Sequence, residues 1–119
     1  MTPFSVQFKG GRDLNSTDQK RDVFVAIADP TRRKLIRLLA EGEELPLHEL
    51  TNQFHMGRTA VSKHLTILKE AELVTNRKIG RETRYRLNPE PLQEVKDWLA
   101  FYEKFWNERA ILLKNILEE

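Results

Sequence analysis

The apolar positions change period along the chain, and each change marks a new element. Ser16-Thr17-Asp18-Gln19 is a capping box ahead of Val23, Phe24, Ile27 and Ala28. It predicts a first helix that begins at Ser16 and stops at Asp29-Pro30, because the residue before a proline avoids the helical region. Pro30, with its fixed φ, opens a second helix with the stripe Leu35, Ile36, Leu38 and Leu39, which ends at Glu41-Gly42-Glu43 with glycine near the C-cap. Leu47, Leu50, Thr51 and Phe54 recur at helical spacing and make a short third helix. His55-Met56-Gly57 then turns into a segment from Arg58 to Ala71 with Val61, Leu65 and Leu68 on one face. Thr59, Lys63, Thr66 and Glu70 lie opposite, and Ala60 and Ser62 stand on the borders.

Beyond Glu72 the pattern becomes that of strands. Residues 73–79 and 83–87 are rich in β-branched, aromatic and basic side chains, and Gly80-Arg81-Glu82 supplies the turn of a β-hairpin. Two short helices joined by a glycine-containing turn and followed by a hairpin make a winged helix-turn-helix. After Asn88-Pro89-Glu90-Pro91 a long helix runs from about Leu92 to Leu117 with two apolar stripes. Leu92, Val95, Leu99, Tyr102, Trp106, Leu113 and Leu117 form one, and Trp98, Phe101, Phe105, Leu112 and Ile116 the other. A helix wet on one side needs a single stripe, so the second is expected against another subunit. Trp98, Phe101, Phe105, Leu112 and Ile116 are therefore expected at a homodimer interface. The expected class is mainly α with a small β-hairpin, about five helices, one domain over residues 16–119 and a flexible arm over residues 1–15.

Composition narrows the function. The chain has 119 residues, 39% hydrophobic and 32% charged, which fits one domain with a thin core that a partner subunit would thicken. Without cysteine there is no disulfide, thiolate metal site or cysteine nucleophile. No apolar run suits a signal peptide or approaches the roughly 20 residues of a membrane helix, so a soluble cytoplasmic protein without a membrane partner is expected. The net charge of +2 hides its distribution. Residues 55–86 carry eight basic and three acidic side chains, against eight and eight before them and four and seven after. The central cations are Arg58, Lys63, Lys69, Arg77, Lys78, Arg81, Arg84 and Arg86. Such polarity reads either as a solvated face or as a surface for double-stranded DNA.

Residue chemistry favours the second. Arg58 begins the helix whose outer face carries Thr59, Ser62, Lys63 and Thr66, groups able to bond base edges or phosphate. Lys78, Arg81 and Arg84 lie on or beside the hairpin tip, where a basic loop suits phosphate. His64, at the edge of the apolar face, reaches a phosphate or packs under the wing. Arg32, Arg33, Lys34 and Arg37 give the second helix a basic surface for the DNA backbone or for nearby acids. No catalytic constellation and no cofactor motif is present, and Ser62-Lys63-His64 cannot form a triad because consecutive helix residues point in different directions.

Asp29-Pro30-Thr31-Arg32 with the helix that follows, Ser62-Lys63-His64-Leu65, Ala71-Glu72-Leu73-Val74, the basic wing and the long last helix together resemble the ArsR family of bacterial transcriptional repressors, from about residue 20 onward. The resemblance implies a homodimer joined through its first and last helices, with Phe24 of the first at the interface, whose two recognition helices enter successive major grooves of a palindromic operator. It also locates the family's metal sites. Pro46 and His48 stand where the thiolates of the arsenic and cadmium sensors would be, and residues 90–119 hold no histidine for a zinc site. Metal control through either is not expected, and His48 reads as a solvated surface residue. The cluster Trp98, Tyr102, Phe105 and Trp106 is core and dimer interface, or else a pocket for a small-molecule effector. A winged-helix protein-interaction module is the remaining alternative.

Overall fold

Asp29 starts the first long helix. Its backbone is extended (φ −106°, ψ 132°) and its carboxylate accepts the N–H groups of Thr31 and Arg32 at 2.8 and 3.1 Å. Pro30 follows at the position where a missing N–H costs nothing. The computed structural model describes residues 22–118, and in it this helix spans Pro30–Gly42. Ahead of it lies a four-residue helix, α1 (Val23–Ala26), so the longer helix is α2.

The arm over residues 1–15 and the capping box at Ser16 lie outside the described residues. Within them, the expected continuous first helix is corrected. Asp22 is extended (φ −74°, ψ 120°) and its Oδ1 accepts the N–H of Phe24 at 2.8 Å, so this helix starts at Val23. An aspartate that satisfies a neighbouring N–H competes with helical backbone at its own position.

The end of α2 differs in detail too. The left-handed backbone sits at Glu43 (φ 62°) and not at the glycine. Gly42 is needed for space, since a Cβ there would lie 2.8 Å from Leu45 Cδ1.

A strand that the apolar pattern did not announce follows. β1 (Glu44–Pro46) pairs antiparallel with β3 (Glu82–Leu87), and β3 pairs with β2 (Val74–Ile79), giving the order β1-β3-β2. The expected hairpin is therefore part of a three-stranded sheet. Its two-residue loop, Gly80-Arg81, has positive φ at Gly80 alone (64°), which puts the glycine where a primed hairpin turn needs it. α3 (Leu47–Thr51) is shorter than the helix expected to reach Phe54, and α4 spans Arg58–Glu70.

The exit from α4 is built by its own backbone. The N–H of Leu73 bonds Leu68 O at 2.9 Å and that of Glu72 bonds Lys69 O at 2.9 Å, with Glu72 left-handed (φ 64°). This is a Schellman motif with glutamate in the usual glycine position, and Leu68 and Leu73, both fully buried, supply its apolar contact. Asn88 closes the arrangement from the far end of the wing, donating from its backbone to Leu73 O and from Nδ2 to Glu72 O, both at 2.8 Å.

Leu35 and Leu39 of α2, Leu50 of α3, Val61, Leu65 and Leu68 of α4, Leu73 of the turn that follows, and Val74 and Tyr85 of the sheet form one core. α5 (Leu92–Glu118) joins it only at its start, through the partly buried Leu92 and Val95. Beyond Val95 the stripe expected in the core is exposed in the single chain, except at the half-buried Tyr102. Leu99, Trp106, Leu113 and Leu117 are as exposed as Trp98, Phe101, Phe105, Leu112 and Ile116. Among the described residues, no helix is long and apolar enough to cross a membrane.

The left-handed residue gives a direct stability test. An L side chain in that region costs roughly 1 kcal/mol relative to glycine, partly offset by the extra freedom of glycine in the unfolded chain. Glu72→Gly should hold or raise the denaturation midpoint, and Glu72→Val should lower stability by about 1 kcal/mol or more. Urea titrations of both variants decide it, and a loss in the glycine variant would contradict this account of the turn.

Candidate nucleic-acid interface

Burial divides α4 along its length. Val61, Leu65 and Leu68 are at most 1% exposed, while Arg58, Thr59, Lys63 and Thr66 are exposed and Ser62 stands at the margin. The hydroxyl of Thr66 donates to Ser62 O at 3.0 Å, which leaves its oxygen to accept from a ligand. Arg58, Lys63 and Lys69 have no ion-pair partner among the described residues.

The wing's cations separate by pleat. Lys78 pairs in register with Thr83 and shares the sheet face of Val74 and Tyr85, which is turned to the helices, whereas Arg77, Arg84 and Arg86 occupy the outer face. Two of those three are engaged. Arg77 crosses β3 to grip Glu44, Nε to Oε2 at 2.8 Å and Nη2 to Oε1 at 2.9 Å, and this contact holds the Glu44 carboxyl below its ordinary range. Arg84 Nε donates to Glu82 Oε1 at 3.0 Å. The structure thus places Lys78 and Arg81 at the outer end of the hairpin, Arg81 in the turn itself. Arg84, expected beside them, is turned to the other face and paired.

His64 is about a fifth exposed, and its polar neighbours among the described residues are on α2 and its cap. Its Nδ1 lies 3.1 Å from Arg32 Nη1 and 3.9 Å from Asp29 Oδ2, at the N-terminus of α2. The basic run of α2 also serves a purpose that neither reading from the sequence named. Arg32 donates to Ala26 O (2.7 Å) and Val25 O (3.3 Å), Arg33 to Ile27 O (2.7 Å) and Lys34 to Gln53 O (2.8 Å). Ala26 O and Ile27 O are carbonyls at the end of α1, Val25 O already accepts the Ala28 N–H at 3.1 Å, and Gln53 O lies just beyond α3; cations there meet the negative end of the short helices. Arg32 was placed on this basic surface by the sequence, but its partners were not. The charge was visible, but nothing in its spacing says which carbonyls it meets.

His48 is well exposed, 4.0 Å from Glu82 Oε2, and no group of three or more metal-binding side chains occurs among the described residues. On α5, Trp98 meets Phe24 edge to face (5.6 Å, 77°) and Tyr102 likewise (5.2 Å, 67°). Trp98, Leu99, Tyr102, Phe105, Trp106 and Arg109 line an open groove of about 570 Å³.

Residues 29–76 match the family described as bacterial regulatory protein, arsR family. The chain is 37% identical over 78 residues to the transcriptional repressor SdpR of Bacillus subtilis, covering 66% of this chain and 86% of that protein. It is 40% identical over 81 residues to the HTH-type transcriptional regulator Rv2034 of Mycobacterium tuberculosis, covering 68% and 72%. An ArsR-like transcriptional regulator from Rhodococcus sp. RHA1 superposes with a TM-score of 0.63 at 31% identity, over 82% of this chain and 88% of that one.

Asp29 anchors the side of the interface that α2 supports. Burial raises its pKa, but the backbone N–H of Arg32, the neighbouring His64 and the N–H of Thr31 outweigh it and hold the carboxyl below its ordinary 3.8. Asp29→Ala should cost about 1 kcal/mol at neutral pH. Because the folded value is depressed, the ionised group's contribution is whole above pH 3.8 and declines as pH falls through the folded value. Thermal melts across that range should show the gap between wild type and Asp29→Ala narrowing under acid, and a gap that widens there would refute the cap.

Proposed function

We propose that this chain, which belongs to the ArsR family of DNA-binding transcriptional repressors, acts as a homodimer that places its two α4 helices in successive major grooves of an inverted-repeat operator. The observation that carries this reading is the division of α4. Its apolar face is locked into the core, so Arg58, Thr59, Ser62, Lys63 and Thr66 have no structural work left on the outside. Lysine can bond guanine O6 and N7, and hydroxyls can bond base edges or phosphate. Lys78 and Arg81, at the end of a narrow hairpin, suit the phosphate backbone. Such a protein works where the genome is, in the cytoplasm. The domain over residues 16–119 carries both reading and dimerisation in this reading, and operator release does not use the family's thiolate or histidine sites.

The dimer rests on α5. Phe101, Phe105, Leu112 and Ile116 stand open on one side, Leu99, Trp106, Leu113 and Leu117 on others, with Leu117 75% exposed. A contiguous apolar surface of this extent on a helix end calls for a partner, and a second copy buries both stripes by the same two-fold operation that pairs the recognition helices. The groove at Trp98, Tyr102, Phe105 and Trp106 supports a second reading, since its volume falls within the range of small-molecule sites and a ligand bound there would sit at the subunit boundary.

Light scattering should give twice the 14.0 kDa chain mass, and Trp106→Glu should weaken the dimer and DNA binding together. A monomer that binds its selected duplex normally would overturn the dimer.

The two DNA-facing elements are separable. A duplex selected by the protein from a randomised pool serves as operator, with a scrambled duplex as control. Lys63→Ala should cost about 1 to 3 kcal/mol on the selected duplex and less on the scrambled one. Arg81→Ala should weaken both alike and reduce the salt slope by about 0.9 for each phosphate that the arginine neutralises in the wild type. The opposite pattern would reverse the roles of helix and wing.

A further inference from the structure

Arg32, on α2, bonds two other helices at once. Nε and Nη2 donate to the last carbonyls of α1, at Ala26 and Val25, and Nη1 reaches Nδ1 of His64 on α4 at 3.1 Å. Its own N–H is held by the Asp29 carboxylate. A guanidinium only donates, so Nδ1 of His64 accepts and the ring proton resides on Nε2. The imidazole is about a fifth exposed, and Asp29 Oδ2, 3.9 Å away, is the other charged group beside it.

We propose that Arg32 and His64 form a positioning clamp that sets the recognition helix relative to α1, and so couples the proposed dimer face to DNA reading. The inference rests on the roles given above to α4 and to α1 with α5. α1 carries Phe24 against Trp98, so its placement follows that of α5. Arg32 measures from the end of α1, and His64 passes that position to its neighbour Lys63 and, through the rigid helix, to Thr59 and Ser62 before it. α4 has no side-chain N-cap of its own, and Gly57 leaves its start without a fixed side-chain anchor. The clamp supplies a polar register that leucine packing alone does not. Groups that read bases need placement within about 0.5 Å, which makes one hydrogen bond of this kind consequential for specificity.

The alternative is a direct phosphate contact by His64, and the two differ in what they predict. The test uses the full chain with the selected and scrambled duplexes, fluorescence anisotropy for DNA affinity and sedimentation for the dimer. His64→Phe removes the acceptor and keeps the volume, while His64→Asn restores an oxygen acceptor near the position of Nδ1. The clamp predicts that His64→Phe weakens the selected duplex roughly 2- to 30-fold and leaves the scrambled duplex and the dimer unchanged. His64→Asn recovers most of that loss, and the losses of Arg32→Met and His64→Phe combine to less than their sum, because both remove the same bond while Arg32→Met also frees the α1 carbonyls. In ¹⁵N-histidine NMR the wild-type ring is protonated at Nε2. Equal losses on both duplexes, additive losses in the double variant, a weakened dimer in His64→Phe or a ring protonated at Nδ1 would each overturn the clamp. If the wild type reads DNA as a monomer while the double variant still shows coupling, the dimer fails and the clamp stands.

Discussion

The structure depends on one constraint, the burial of Val61, Leu65 and Leu68 against α2, α3 and the sheet. Removing a leucine from such a position costs about 2 to 5 kcal/mol, a large share of what a domain of this size has to lose. That cost fixes the rotation of α4 about its axis. Once the rotation is fixed, the outer face follows by the 100° step of the helix, and every group available to DNA is determined by what must be buried. The Schellman turn at Glu72 then sends the chain back along the sheet, so the direction of the wing is set by the same helix that is proposed to read the groove.

The polar residues around this core mostly complete the backbone. The short helices α1 and α3 leave carbonyls open, and α2 closes them with Arg32, Arg33 and Lys34. A four-residue helix is not stable alone, since forming its first turn fixes several residues for one hydrogen bond. α1 persists because Asp22 caps its start, arginines cap its end, and Val23 and Ala26 are buried. Removing the guanidiniums would therefore loosen the element that carries Phe24 to Trp98. The same cations would be misread if counted only as a DNA-facing charge.

The elements legible in the sequence were those with their own periodicity or punctuation. Asp29-Pro30, Gly57 and Gly80 marked boundaries within a residue or two, the recognition helix matched from Arg58 to Glu70, and its buried face was the one predicted. β1 was not legible, because three residues cannot show alternation and Glu-Leu-Pro carries no strand signal. Its partner strand creates it, with Leu45 opposite Tyr85. The fate of individual charges was equally hidden. Arg77 and Lys78 are neighbours with the same charge, yet pleating sends one across the sheet to Glu44 and leaves the other without an ion pair among the described residues. His64 could be placed at a border by helical geometry, but its partner comes from 32 residues earlier and is set by tertiary packing.

Pairing on the outer face changes the electrostatic reading of the central segment. Its excess of positive charge suggests a strong pull on DNA, but Arg77 and Arg84 each hold a carboxylate, and a neutralised guanidinium releases few counterions on binding. Arg58, Lys63, Lys69, Lys78 and Arg81 are then the cations near α4 and the hairpin end without an ion pair among the described residues. In the proposed reading, a small set of phosphate contacts gives a shallow salt dependence, and discrimination comes from the hydroxyls and the ammonium on α4, through their geometry more than their charge. A surface of this kind gains specificity by holding its reading helix in register, and a hydrogen-bonded contact between α2 and α4 is where that register can be set.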